Sequence, residues 1–555
     1  MNSQSGVELI ELNTRLLDNG LGLIDSPADL NACLNAHGLY NSVQCVLRLS
    51  PEVHRRIADL PHGIVTTPIR FDALQAYSTY LHETIHWWQH IGSTTGIMLS
   101  LSYPAQAHAN HPRLKDLLRK IGPKKSIRRW ATTAAGASRP ETPRGLANIA
   151  VNNHFDIEFF RILAMDPRVI RQVVEHPLFD SIGHSYTTAY GNVLLILAAT
   201  LNDDFGVIPD PRGWEKELDA LRAHKVRGPY HGSDVLVSPV GARQIFEGHA
   251  RFGQLQFLYF ASGKRLGWDD IRAKGMLAGI YGEAFECFLE FAHINWPPSI
   301  DHPTVALFML VCDMAINASA GFPIPLRNFT TFVGDTDPGM RFLLLCRAIA
   351  TKRPDVMERI AEYSREEYGE VSEALADALL IDPPLSVADR VARWADDSEA
   401  VGSLLAEYRT FAYSPENLAV RLLFSHFVAF CRDKRTKPEF FCWPGAWMTG
   451  GRVSAEVSSL FDRHSAPFMD KADDGGIYPR LMPDRNQTVV QAAFNTFYAM
   501  NVTYEMTRQW IARDGPFEYD YGWLSSTGTA VEFKEFGDRH FEMVYHVHPD
   551  CFELV

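Results

Sequence analysis

His82-Glu83-Thr84-Ile85-His86 brings two imidazoles and a carboxylate together in five residues. On a helix, residues four apart lie about 40° from each other around the axis and about 6 Å along it. His82 and His86 then aim their rings at one point from one face, as two nitrogen ligands of a metal ion must. Glu83 stands beside them, where a carboxylate can take a proton from metal-activated water. Thr79-Tyr80-Leu81 precedes the motif and Trp87-Trp88 follows it, so Glu83 is the only acidic or basic charge in the stretch, which holds no helix breaker. His90 extends the row but lies about 12 Å along the helix from His82, and residues at i, i+4 and i+8 cannot close one tetrahedral site. Its expected role is support or packing. The third ligand must come from elsewhere in the chain.

The element that positions the motif is legible. From 71 to 91, Leu74, Tyr77, Leu81, Ile85 and Trp88 recur at intervals of three and four, one apolar face of an amphipathic helix. Before it, the first sixty residues read as mixed short elements, and Gly63-Ile64-Val65-Thr66-Thr67 is a β-branched run closed by Pro68. After it, helical patterning predicts helices over 152–165, 188–201, 271–293, 304–318, 340–350, 356–380, 386–408, 415–431 and 488–511. Ser238-Pro239 offers an N-cap and a first-turn proline for a helix running through Glu247 to 261. The basic segment 111–146 ends in an Ala/Thr/Pro/Gly-rich stretch and predicts a mobile surface loop. Residues 443–483 are rich in Gly and Pro, 519–555 read as β-like, and no internal repeat is visible. The fold class expected is mainly α with a minority of β.

Composition narrows the function. The chain has 555 residues, 46 % hydrophobic and 21 % charged, and a net charge of −13. This is ordinary globular composition, and an acidic balance argues against nucleic acid as a partner, since a phosphate backbone attracts a basic face. The first ten residues lack a basic segment leading into an apolar run, and no stretch approaches the roughly 20 apolar residues that span a bilayer. The 8 cysteines are scattered with no CxxC pair. Free thiols of this kind suit a reducing compartment, so the expectation is a soluble, cytoplasmic protein without a membrane partner.

The motif helix with its uncharged flanks resembles the extended signature of the HExxH zincin metallopeptidases. That resemblance implies one Zn2+ per chain, a peptide or protein substrate, and Glu83 as general base. Carboxylates on later helices are the candidates for the third ligand. Phe246-Glu247-Gly248-His249-Ala250-Arg251 resembles the second motif of gluzincin peptidases, which makes Glu247 the first choice, although it lies much farther along the chain than in thermolysin-like enzymes. Gly248 and Ala250 would let its helix approach the motif helix closely, and Arg251 at i+4 would orient the carboxylate. Glu158, Glu283 and Glu286 are the other candidates. His249, Tyr259 and Tyr281 are the candidate oxyanion donors, with His249 preferred. The resemblance implies a zincin-like catalytic region with large helical insertions over 1–325, and a mostly helical C-terminal region over 326–555 ending in strands.

Two other classes fit parts of the pattern. Glu83/His86 and Glu290/His293 are both Glu-x-x-His pairs, and with Glu158 and Glu247 they would build a ferritin-like di-iron site, leaving His82 without a role. A non-catalytic scaffold would keep the helix for packing alone. Tyr545-His546-Val547-His548, followed by Asp550 and Cys551, puts two histidines on one face of an expected strand and offers a second metal site.

Overall fold

The computed structural model describes residues 11–17, 36–58, 60, 69–133, 138–223 and 237–555. The run at 63–67 and the turn at Pro68 lie outside them. Helices take 66 % of the structure and strands 5 %, so the protein is mainly α with a small sheet.

The elements that build the site are few. Strands β1 (Gly38–Asn41) and β2 (Val46–Leu49) form an antiparallel hairpin. Helix α1 (Phe71–Gly92) carries the motif and is followed, across Ser93, by α2 (Thr94–Ile121). Then come α3 (Pro143–Met165), α4 (Ile182–Leu201), α5 (Ala242–Ala261), α6 (Ile280–Ala292), α7 (Pro303–Ile316) and α8 (Leu418–Thr436). Strands β3 (Phe468–Lys471) and β4 (Asp474–Pro479), then α9 (Gln487–Ala512) and α10 (Ala530–Tyr545), complete the set. The larger sheet runs β1-β2-β3-β4, with β2 and β3 parallel through Leu47 and Met469.

Helix α1 is covered by α5, α2, α8 and the hairpin. The sequence pattern predicts one apolar face, yet every residue from Leu81 to Gly92 is buried. A helix enclosed on all sides must find partners for its polar groups, because a buried unpaired polar atom costs roughly 1–3 kcal/mol. The partners come chiefly from α5, which runs antiparallel to α1. Gln254 Nε2 donates to Ser78 Oγ at 3.1 Å near one end, and Gln89 Nε2 donates to the Phe246 carbonyl at 2.9 Å near the other. The small residue that allows the close approach is Gly253, where a Cβ would lie 2.8 Å from Ile85 Cδ1. Gly248, expected in that role, faces Ala284 and Phe308 instead.

One apolar core extends from Leu12 to Tyr498, so position 325 lies between elements that share a single interior. The sheet ties distant segments together. Asp470, buried, accepts from Leu49 N at 3.1 Å and from His54 Nε2 at 2.7 Å, while Arg48 reaches the carbonyls of Gly475 and Trp523.

Several elements differ from the sequence reading. The segment 111–133, expected in a loop, continues α2 through Pro112 and then forms a further helix, Ile127–Thr133. Thr142 caps α3, with Pro143 in its first turn, which starts that helix well before 152. Ser238 does not cap α5; Gly241 does, with Gln244 Oε1 accepting its backbone N–H at 2.9 Å. The helix expected over 271–293 is split into Trp268–Ala273 and α6 by a turn through Gly275 and Gly279, both at positive φ. Within the β-like tail, Ala530–Tyr545 is instead α10, opened by a Thr529/Glu532 capping box, and only Glu553–Leu554 pairs as a strand, parallel to Lys124–Lys125.

Candidate metal centre

The two motif histidines leave α1 one turn apart, and their Nε2 atoms are 3.0 Å from each other. Glu247 projects from α5 so that its Oε2 lies 3.4 Å from each of those nitrogens. Ligand atoms about 2.0–2.1 Å from a tetrahedral zinc are separated by about 3.3 Å, the edge of that tetrahedron. The three donors therefore fit three corners of a zinc site, and the types (two imidazoles, one carboxylate) suit that metal. His82 and His86 side chains are 5 % and 11 % exposed while Glu247 is 27 % exposed, so the site is sealed behind the histidines and opens past the carboxylate.

The ring of His86 is fixed from behind. Its Nδ1 lies 2.8 Å from Gln89 Oε1, and the Gln89 amide nitrogen faces the Phe246 carbonyl and, at 3.4 Å, Nδ1 of His249. His249 Nε2 in turn lies 2.9 Å from the Cys442 carbonyl. His82 Nδ1 is buried with no hydrogen-bond partner among the described residues.

Electrostatics within the triad follow from burial and proximity. Burial pushes His82 down to about 4, aided by the neighbouring His86 and Arg251 and opposed by its hydrogen bond to Glu247. Burial also works against a charge on His86, but the Glu247 and Glu83 carboxylates and the Gln89 contact raise it to about 9. Burial alone would raise Glu247; the charge on His86 and hydrogen bonds to both rings hold it well below the usual carboxylate range. In the metal-free triad these effects favour the charged form of His86 over that of His82 and keep the Glu247 carboxylate ionised.

Glu83 is 4 % exposed and leans on β1. A Cβ on Gly38 would lie 2.6 Å from both Cγ and Oε1 of Glu83, so only glycine leaves room for the carboxylate there. Tyr281, on α6, brings its ring centroid to 6.1 Å from that of His82, and the Arg251 guanidinium stacks on it at 3.8 Å.

Other residues singled out in the sequence lie elsewhere. His249, expected as an oxyanion donor, is withdrawn from that role because both its ring nitrogens are engaged behind His86. Tyr259 is about three turns beyond Glu247 on α5, with its hydroxyl on Asp301 Oδ1 at 3.0 Å. His90 is packed between Tyr40 and Phe246, where burial pushes it down to about 3. Glu158 is paired with Arg161 and Arg508, and Glu283 with Arg168. Glu286 is exposed, as are Glu290 and His293, so the carboxylate-histidine set of a di-iron site is not brought together.

At the C-terminus the histidines follow a helix rather than lying on a strand, with His546 as the cap of α10. Asp538, His548 and Asp550 do cluster, but Lys534 already sits on both carboxylates. Gln89 and Gly38 were not singled out in the sequence. Gln89 had a signal, since it stands three residues after His86 on the same helix face. Gly38 had none, because its neighbour is set by tertiary packing.

No protein-family model matches the chain, and no curated protein or solved structure matches it. No helix among the described residues is long and apolar enough to cross a membrane.

Proposed function

We propose that this protein is a zinc-dependent hydrolase that cleaves a peptide or amide bond, with His82, His86 and Glu247 as metal ligands and Glu83 as general base. The observation that carries the reading is the triangle of donor atoms, 3.0, 3.4 and 3.4 Å on its sides, drawn from two antiparallel helices with a buried glutamate adjoining the first histidine.

When bound, zinc supplies Lewis acidity at neutral pH. Glu83 accepts the proton of the attacking water at its carboxylate and returns it to the leaving nitrogen. Gly38 keeps that carboxylate in place by yielding it space. The Tyr281 hydroxyl, on a ring held by Arg251, is the donor assigned to the developing oxyanion. Burial of the histidine side excludes bulk water, which strengthens each of these interactions.

The test is cleavage of a library of internally quenched peptides. Wild type should cleave a subset, lose activity on chelation and recover it with zinc, while Glu83→Gln binds zinc and cleaves at most a hundredth as fast. A protein that holds stoichiometric zinc and leaves every peptide intact would overturn the peptidase reading.

A further inference from the structure

The chain of contacts behind His86 has a direction that its chemistry dictates. The Phe246 carbonyl only accepts, so the Gln89 group that meets it at 2.9 Å is the amide NH2. The Gln89 oxygen is therefore the atom that faces His86, 2.8 Å from Nδ1. An amide oxygen only accepts, so His86 Nδ1 must carry a hydrogen. The second Gln89 N–H points to His249 Nδ1, which accepts it, and that leaves the His249 hydrogen on Nε2, donated to the Cys442 carbonyl at 2.9 Å. Every donor in the sequence Cys442 carbonyl, His249, Gln89, His86 meets an acceptor in only this arrangement. All four residues are buried, so water does not scramble it.

We propose that Gln89 is the positioning residue of the metal centre: it keeps a hydrogen on His86 Nδ1, so that Nε2 is the nitrogen left for the metal, and His249 with the Phe246 carbonyl holds Gln89. This rests on the metal reading above. The consequence is an unequal pair of ligands. His86 is pre-set for metal by a built contact, whereas His82 Nδ1 has no such partner among the described residues. The same contacts couple the metal to α5, because the carbonyl that orients Gln89 belongs to the residue just before Glu247. A histidine ligand whose outer nitrogen loses its partner typically costs 10–100-fold in metal affinity.

The experiment measures zinc affinity by competition with a chromophoric chelator, independently of any substrate. Gln89→Met keeps length and apolar packing but removes the amide; Gln89→Glu keeps an acceptor for His86 Nδ1. The Met variant should bind zinc roughly 10–100-fold more weakly than wild type, and the Glu variant within a few-fold of it. His249→Phe, which removes the anchor of Gln89 only, should weaken zinc several-fold and carries the test if the Met variant does not fold. Equal affinity in wild type and in Gln89→Met, or in His249→Phe where that variant stands in, would overturn the proposal and leave the metal centre intact. A wild-type protein that takes up no zinc would overturn the metal reading and this inference with it.

Discussion

The Nε2 atoms of His82 and His86 face each other at 3.0 Å in a buried pocket, with a carboxylate oxygen of Glu247 beside both. Two lone pairs at that distance repel unless a hydrogen or a metal ion lies between them. A proton on His86 meets that need in the metal-free protein, and a metal ion would replace it.

Zinc binding should therefore release a proton. With His86 raised to about 9, the proton competes with zinc at every pH below that value. Affinity should rise about tenfold per pH unit from pH 7 toward 9 and level off above it. Chelator competition at a series of pH values checks this, and a flat profile would count against a proton on His86.

The stability of the metal-free protein carries the opposite sign. A histidine whose pKa is higher folded than unfolded contributes stability that is fully present below its unfolded value and lost as pH rises through its folded one. For His86 that window runs from about 6.5 to about 9. The metal-free Tm should fall across it, while zinc-loaded protein should hold its Tm. Differential scanning fluorimetry of both forms decides.

Gly38→Ala should separate metal binding from chemistry. The new methyl group would lie 2.6 Å from Glu83 Oε1, and the buried carboxylate must shift. Zinc content should be unchanged, kcat should fall roughly tenfold to a hundredfold, and stability should drop by about 1–3 kcal/mol. Unchanged kcat would mean that Glu83 is not held by β1.

Tyr281→Phe keeps the ring under Arg251 and removes only the hydroxyl. Loss of an oxyanion donor lowers kcat by roughly 10²–10³-fold with little change in KM. A rise in KM alone would move Tyr281 from the reaction to substrate binding.

The half of the site that is local in sequence was legible. The i, i+4 spacing of His82 and His86 and the flanking apolar rhythm both follow from helix geometry, and Glu247 was reached by its resemblance to a known second motif. The tertiary half was not. The partner of Glu83 is a glycine on a strand, and the partners of Gln89 are a backbone carbonyl and a histidine turned away from the site, none of which leaves a periodic mark. The place of His249 two residues after Glu247 says nothing about which way its ring points, and its nitrogens meet Gln89 and the Cys442 carbonyl. The aromatic and histidine residues of the tail look β-like, yet Thr529 and Glu532 form a capping box, a local signal that opens a helix.

The most direct measurement is the metal content of the purified protein by elemental analysis, for wild type, His86→Ala and Glu247→Ala after equilibration with limiting zinc. About one zinc per chain in wild type, with both variants nearly empty and still helical by circular dichroism, is the expected result. Full occupancy in either variant, no zinc in wild type, or two irons per chain would contradict the site assigned to His82, His86 and Glu247.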